Sequence, residues 1–110
     1  MTAVEVEIRD RVAWIALNRP EKLNAINDDV LNGLRQAIAT LESADDAGAA
    51  ILFGRGRAFS AGGDISAMSV MDEAVFSRTI GLYMQVAKDF RGSRKPIVAA
   101  IHGYALAGGF

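Results

Sequence analysis

"AAILFGRGRAFSAGGDI", Ala49 to Ile65, is the stretch from which the architecture is read. Ala49–Phe53 is a short continuous apolar run, the pattern of a strand covered on both faces, and such strands are usually parallel. It leads into a glycine-rich loop that ends in two adjacent glycines, Gly62 and Gly63, and an acid, Asp64. "IVAAIHGYALAGGF", Ile97 to Phe110, echoes the scheme: an apolar strand followed by a loop ending in small residues. Both loops leave the same end of their strands. That edge of a parallel sheet is where α/β folds tend to bind ligands.

The flanking segments agree. Val4–Ile8 alternates apolar and charged residues, Val12–Leu17 is nearly all apolar, and Asp10-Arg11 between them suits a tight turn. Asn18-Arg19-Pro20 stops the second strand, because Pro20 cannot donate to a ladder and biases Arg19 to extended geometry. Asn27-Asp28-Asp29 supplies a cap and acids for a first helical turn, and Val30, Leu34, Ile38 and Leu41 share one stripe, which predicts a helix to about Ser43. A second helix is predicted from about Asp72 to Arg91, with Phe76, Ile80, Tyr83, Ala87 and Phe90 on one face and Gly92 closing it. Lys95-Pro96 then introduces a buried strand, Ile97–Ile101. The order β, β, α, β, loop, α, β predicts an α/β fold around a mainly parallel sheet, residues 1–110 being part of a single domain with no internal boundary.

Composition narrows the function classes. The 110 residues carry a net charge of −1, with dispersed charges of both signs, so no footprint for nucleic acid or a polybasic membrane anchor is present. The absence of cysteine rules out disulfides, thiolate metal sites and a cysteine nucleophile, and the single His102 cannot build a metal cluster, so no metal is expected. No apolar run has bilayer-spanning length and the N-terminus has no signal-peptide pattern, which leads to the expectation of no membrane partner and a cytoplasmic location.

Ala61-Gly62-Gly63 and Ala107-Gly108-Gly109 have almost no side chain, so any chemistry there must come from backbone N–H groups. Two such donors converging from separate strand-to-helix turns form a cradle for an anion or a carbonyl oxygen that gains charge. Gly-Gly near a helix start is also the mark of a simple turn or of close helix-to-sheet packing, and the residues alone leave both readings open. Phosphate-loop, dinucleotide and nucleophile-elbow spacings are all missing: Phe59 stands where a third glycine would be needed, and Ser60 has no flanking glycine pair. Asp64 is read as a cap for the following turn rather than a general base, and His102 as a polar residue at a strand end. Arg55, Arg57 and Lys22 are read as solvated cations, one of which can meet a ligand phosphate. Met68, Met71 and Met84 are read as core filling or a pliable pocket wall.

NRPEKLNAIN (Asn18–Asn27), GRGRAFSAGGDI (Gly54–Ile65) and KPIVAAIHGYALAGGF (Lys95–Phe110), in this order and spacing, resemble the crotonase superfamily, the enoyl-CoA hydratase/isomerase family. The resemblance covers the chain from Asn18 onward except the helix at Asp72–Arg91. It implies a crotonase-type spiral of ββα units, incomplete in this chain, assembled as a homo-trimer or homo-hexamer, with a coenzyme A thioester as substrate and no separate cofactor. It implies an oxyanion hole made by the backbone N–H groups of Gly63 and Gly108. It also implies coenzyme A contacts around Lys22, Leu23 and Ala25 and around Ala61, Asp64 and Ile65, the adenine lying near the latter segment. Many members carry Lys where this chain has Ser66, which removes one phosphate contact.

In the hydratases of this family one catalytic glutamate follows the position of Phe110 directly and the other lies further along. The expected activity, addition of water to a 2-enoyl-CoA, needs carboxyl groups that move protons, and backbone amides cannot do this. Isomerisation, decarboxylation or thioester hydrolysis, or a non-catalytic acyl-CoA-binding subunit, are the alternatives that share the cradle. These residues alone are therefore expected to be inactive. The strand Ile97–Ile101 is apolar on both faces, and uncovered apolar surface costs about 25 cal/mol per Å². A polypeptide ending at Phe110 is expected to aggregate or need a partner.

Overall fold

The computed structural model describes residues 2–106. Its elements are β1 (Val4–Arg9), β2 (Val12–Leu17), a short 3-10 turn (Pro20–Lys22), α1 (Asp28–Ser43), β3 (Ala49–Gly54), α2 (Ile65–Met68), α3 (Glu73–Gly92) and β4 (Ile97–Ala100). They form one four-stranded sheet in the order β1-β2-β3-β4. β1 pairs antiparallel with β2, and β2, β3 and β4 run parallel. The expected α/β architecture is present.

Local chemistry explains the elements. Asp10 and Arg11 both adopt positive φ, 51° and 67°, the conformation a tight two-residue hairpin demands. Asn27 caps α1 through its side-chain oxygen, which accepts from the Val30 N–H, and Asp28 and Asp29 sit at the positive end of the helix dipole. The α1 stripe is buried, with Leu41 and Ala13 at 0 % exposure at the centre of the core. Truncating Leu41 to alanine there would cost about 2–5 kcal/mol.

Between the sheet and the helices the chain makes short pairings of a second kind. Ile26 bridges Gly63 and Ser60 bridges Ala105, both in parallel. Main-sheet strand, bridging segment and helix thus follow one another along the chain, which is the ββα winding expected.

Three expectations are corrected. β4 is Ile97–Ala100 rather than a buried Ile97–Ile101; it is an edge strand, and Val98 and Ile101 are exposed because no element among the described residues packs beyond it. β3 is not covered on both faces. The face away from the core carries Trp14 and Phe53, edge-on with centroids 6.3 Å apart, under the guanidinium groups of Arg9 and Arg55. The third correction concerns α3, which is rotated relative to the stripe read from its sequence. Thr79 and Val86 are its buried residues, Leu82, Tyr83 and Phe90 are half-buried, and Phe76, Ile80, Met84 and Ala87 face out. Apolar and polar contacts share the face that results: Val86, Leu82 and Phe90 meet the core beside two polar links to α1. The Thr79 hydroxyl donates to Asp28 Oδ1 at 2.9 Å and Arg35 pairs with Asp89 at 2.8 Å, both between α1 and α3.

Candidate active site

Three loops leave the C-terminal ends of the parallel strands β2, β3 and β4, and side chains invisible to pattern reading sew them together. In the first loop Leu23 and Asn24 are both left-handed, at φ 52° and 54°, a conformation asparagine tolerates far better than leucine. Asn24 is fully buried. Its Oδ1 accepts from the Arg19 N–H at 2.8 Å, and its Nδ2 donates to the Arg55 and Ala58 carbonyls at 2.9 Å each. One side chain therefore clamps the β2 loop to the β3 loop.

Ser60, also fully buried, joins all three loops. Its hydroxyl donates to the Asn24 carbonyl at 2.9 Å and accepts from the Gly62 N–H at 3.1 Å. Its own N–H donates to the Tyr104 carbonyl, and its carbonyl accepts from the Leu106 N–H. His102 adds a contact on the outside: Nε2–H donates to the Gly56 carbonyl at 2.7 Å, and the His102 carbonyl accepts from the Phe59 N–H. It is the polar strand-end residue expected.

Asp64 is a cap, as expected, and more than a cap. Oδ1 accepts from the Ala67 N–H at 3.1 Å, and Oδ2 pairs with Arg19 Nη1 at 3.1 Å. Both side chains are largely buried, and Arg19 Nη1 also donates to the Ala25 carbonyl at 2.7 Å. The Ala67 N–H, and then Arg19, hold the Asp64 carboxyl below its ordinary pKa against the opposing effect of burial. It is an ionised brace, each of whose oxygens is held by a donor of the protein.

The expected coenzyme A segments come together. The Ala61 N–H donates to the Leu23 carbonyl at 2.9 Å, and Arg19 ties Ala25 to Asp64. Lys22 is exposed on the same patch, and its charge adds to the lowering at Asp64. Ile65 stands 80 % exposed beside them. The N–H groups of Lys22, Leu23 and Ala25 are all engaged inside the turn, donating to Arg19, Pro20 and Lys22 carbonyls. What that segment offers outward is the Lys22 ammonium and spare carbonyl lone pairs.

The glycine pair divides its labour. Gly62 sits at φ 94°, a conformation nearly closed to a residue with a Cβ. Its N–H is held by Ser60 Oγ and its carbonyl accepts from Ile26 N–H at 2.7 Å, while the Asp64 N–H donates to the Ile26 carbonyl at 2.8 Å. Gly63 lies between these engaged neighbours, and its own N–H meets no acceptor among the described residues. In this parallel bridge Ile26 bonds the two neighbours of Gly63, so the Gly63 N–H points away from the Ile26 side. Gly108, its expected partner, lies outside the described residues. The bridge at Ala105 nevertheless brings the third loop against Ser60 three residues before that position.

Close to Gly63 lie two side chains whose roles were not foreseen. A Cβ placed on Gly63 would lie 2.8 Å from Met68 Cε and 3.3 Å from the Tyr83 hydroxyl. Burial, and then the nearby charges of Asp28 and Asp64, push the Tyr83 phenol above its ordinary pKa, so it is a neutral O–H donor. Of the three methionines Met68 is the one beside Gly63, Met71 sits against Thr79, and Met84 is exposed.

Comparison with known proteins agrees with this geometry. The enoyl-CoA hydratase/isomerase family model matches residues 7–110. A probable enoyl-CoA hydratase of Mycobacterium bovis is 40% identical over 109 residues, covering 94% of this chain and 40% of that protein. A short-chain-enoyl-CoA hydratase of Clostridium acetobutylicum is 37% identical over 108 residues, covering 96% of this chain and 41% of that protein. The crystal structure of an enoyl-CoA hydratase from Thermoplasma volcanium superposes with a TM-score of 0.92 at 36% identity, over 99% of this chain and 44% of that one. The chain spans about two-fifths of the length of the relatives it matches. With the matching motifs, the ββα winding and the three loops converging on Ser60, the chain belongs to the enoyl-CoA hydratase/isomerase family, the crotonase superfamily.

Proposed function

We propose that this chain supplies the oxyanion-hole part of an acyl-CoA active site, and that the whole protein adds water to a 2-enoyl-CoA thioester in fatty-acid metabolism. The observation that carries the reading is the Gly63 N–H. It is left without an acceptor among the described residues between two amides that are held in place, at the ligand-binding edge of a parallel sheet. With the N–H of Gly108 it would grip the thioester oxygen as the carbonyl becomes an enolate; losing one such donor typically costs roughly 100- to 1,000-fold in rate.

Lys22, Leu23, Ala25, Ala61, Asp64 and Ile65 are assigned to the coenzyme A moiety. The Ala61 carbonyl, which takes no donor among the described residues, suits the exocyclic amine of adenine, and Lys22 suits a phosphate. Asp64 serves by holding Arg19 and the loop. The carboxyl groups that activate water and protonate the α-carbon would come from beyond residue 110, and no cofactor is needed besides the coenzyme A of the substrate. Assembly as a trimer or a pair of trimers in the cytoplasm belongs to the same proposal. No helix among the described residues is long and apolar enough to cross a membrane. Hydration is preferred over the family's other reactions because several relatives bear the name enoyl-CoA hydratase.

The test is equilibrium binding of an acyl-CoA to the intact protein, followed by the enoyl thioester absorbance of a 2-enoyl-CoA. Binding with loss of the absorbance supports hydration. Binding without turnover reduces the reading to an acyl-CoA binder or another reaction of the family, and competition by free ATP without acyl dependence removes it.

A further inference from the structure

The hydroxyl of Tyr83 lies near Gly63 and has no hydrogen-bond partner among the described residues. Tyr83 projects from α3, the element whose sequence did not contribute to the family resemblance, and is half-buried against the hydrophobic core. It lines a largely apolar cavity of about 300 Å³ together with Ile26, Phe59 and Val86. Among the described residues its hydroxyl has no hydrogen-bond partner: Thr79, one turn away, takes Asp28 Oδ1, and Arg19 and the Ala67 N–H take Asp64. Tyr83 is half-buried and its hydroxyl is not a fully buried polar atom, so it can bond water in the free protein and exchange that water for an oxygen of a ligand. The hydroxyl is thus open to a partner that arrives with the ligand.

From the geometry we infer that Tyr83 is a specificity-determining residue, its O–H donating to an oxygen on C3 of the bound acyl group while the Gly63 N–H holds the thioester oxygen on C1. The inference rests on the acyl-CoA reading of Gly63. The hydroxyl lies 3.3 Å from where a Gly63 Cβ would stand, so both donors border the same small volume. In a 3-hydroxy- or 3-oxoacyl thioester the two oxygens are separated by three carbons, close enough for donors on adjacent elements to take one each. The phenol stays protonated above the ordinary tyrosine range, as a donor requires. Hydration of a 2-enoyl thioester places a hydroxyl on C3, so Tyr83 would recognise the product side of the reaction. Met68, whose flexible tip also touches this volume, leaves room for the acyl group to be adjusted.

The test is calorimetric titration of the intact protein and its Tyr83→Phe variant with butyryl-CoA and with 3-hydroxybutyryl-CoA. Tyr83→Phe is expected to melt no lower than wild type, to weaken 3-hydroxybutyryl-CoA by roughly three- to tenfold and to leave butyryl-CoA within about twofold, the effect of one neutral hydrogen bond. Wild type that binds both thioesters, with a variant that loses both equally or neither, overturns the role of Tyr83 and leaves the Gly63 reading standing. A merely structural role would lower the two affinities together. Wild type that binds neither thioester overturns the acyl-CoA reading itself.

Discussion

The Ser60 hydroxyl donates to the Asn24 carbonyl at 2.9 Å, and both residues are fully buried. This bond joins two loops 36 residues apart in sequence. Through the same serine the Gly62 N–H is held, so the presentation of the Gly63 amide depends on a hydroxyl that makes no contact with substrate in the proposed mechanism.

Ser60→Ala is expected to cost about 1–3 kcal/mol, because it strands a buried carbonyl and a buried N–H together. Asn24→Asp should cost at least as much, since it sets a carboxylate against the Arg55 and Ala58 carbonyls that now accept from Nδ2. Denaturant melts of the intact protein measure both. In Ser60→Ala the enoyl-CoA turnover should fall more than coenzyme A binding does, as Gly63 loses its support.

Asp64 makes stability depend on acid. Its folded pKa is lowered from 3.8, so the folded state binds its proton more weakly than the unfolded state. The contribution is present above the unfolded value and is lost as pH falls through the lowered folded value. Unfolding free energies measured from neutral pH to below pH 3.8 should decline, and Asp64→Asn should flatten that part of the decline. A variant as acid-sensitive as wild type would refute the brace. Because the carboxyl is already ionised near neutrality, Asp64 should leave no inflection in the pH dependence of turnover there.

Glycines 54 and 63 should differ in how much stability alanine costs them. At Gly54 a Cβ would lie 2.5 and 2.6 Å from the Phe59 and Ala58 carbonyl oxygens, which are fixed backbone, and about 3 kcal/mol of stability should be lost. At Gly63 the nearest atom is the movable Met68 Cε at 2.8 Å, so the fold should tolerate alanine with a loss of about 1 kcal/mol or less. Thermal melts of the two variants compare them directly.

The 110-residue polypeptide expressed alone should self-associate. Phe76, Ile80 and Met84 of α3 and Val98 and Ile101 around β4 stand exposed, a larger apolar display than solitary surface residues make. Sedimentation velocity should show oligomers or aggregates, reduced in an Ile80→Lys, Val98→Lys variant. A monomer with a cooperative melt would contradict this.

The sequence by itself determined what depends on near neighbours. The alternation of Val4–Ile8, the Asn27 cap, the Asp64 cap and the strand-then-glycine pattern at Ala49–Gly63 are local devices, legible because a residue acts there on backbone within a few positions. The three motifs that carry the family resemblance lie in those same stretches. Only the tertiary structure decided that Asn24 and Ser60 form the hub, that Arg19 reaches Asp64 across 45 positions, and that Tyr83 borders Gly63. It also decided the rotation of α3, which sets Val86 and Leu82 on the core beside the Thr79–Asp28 and Arg35–Asp89 contacts. Hydrogen bonds of this kind need donors and acceptors aligned to within a few tenths of an ångström, and that alignment exists only once distant segments have packed.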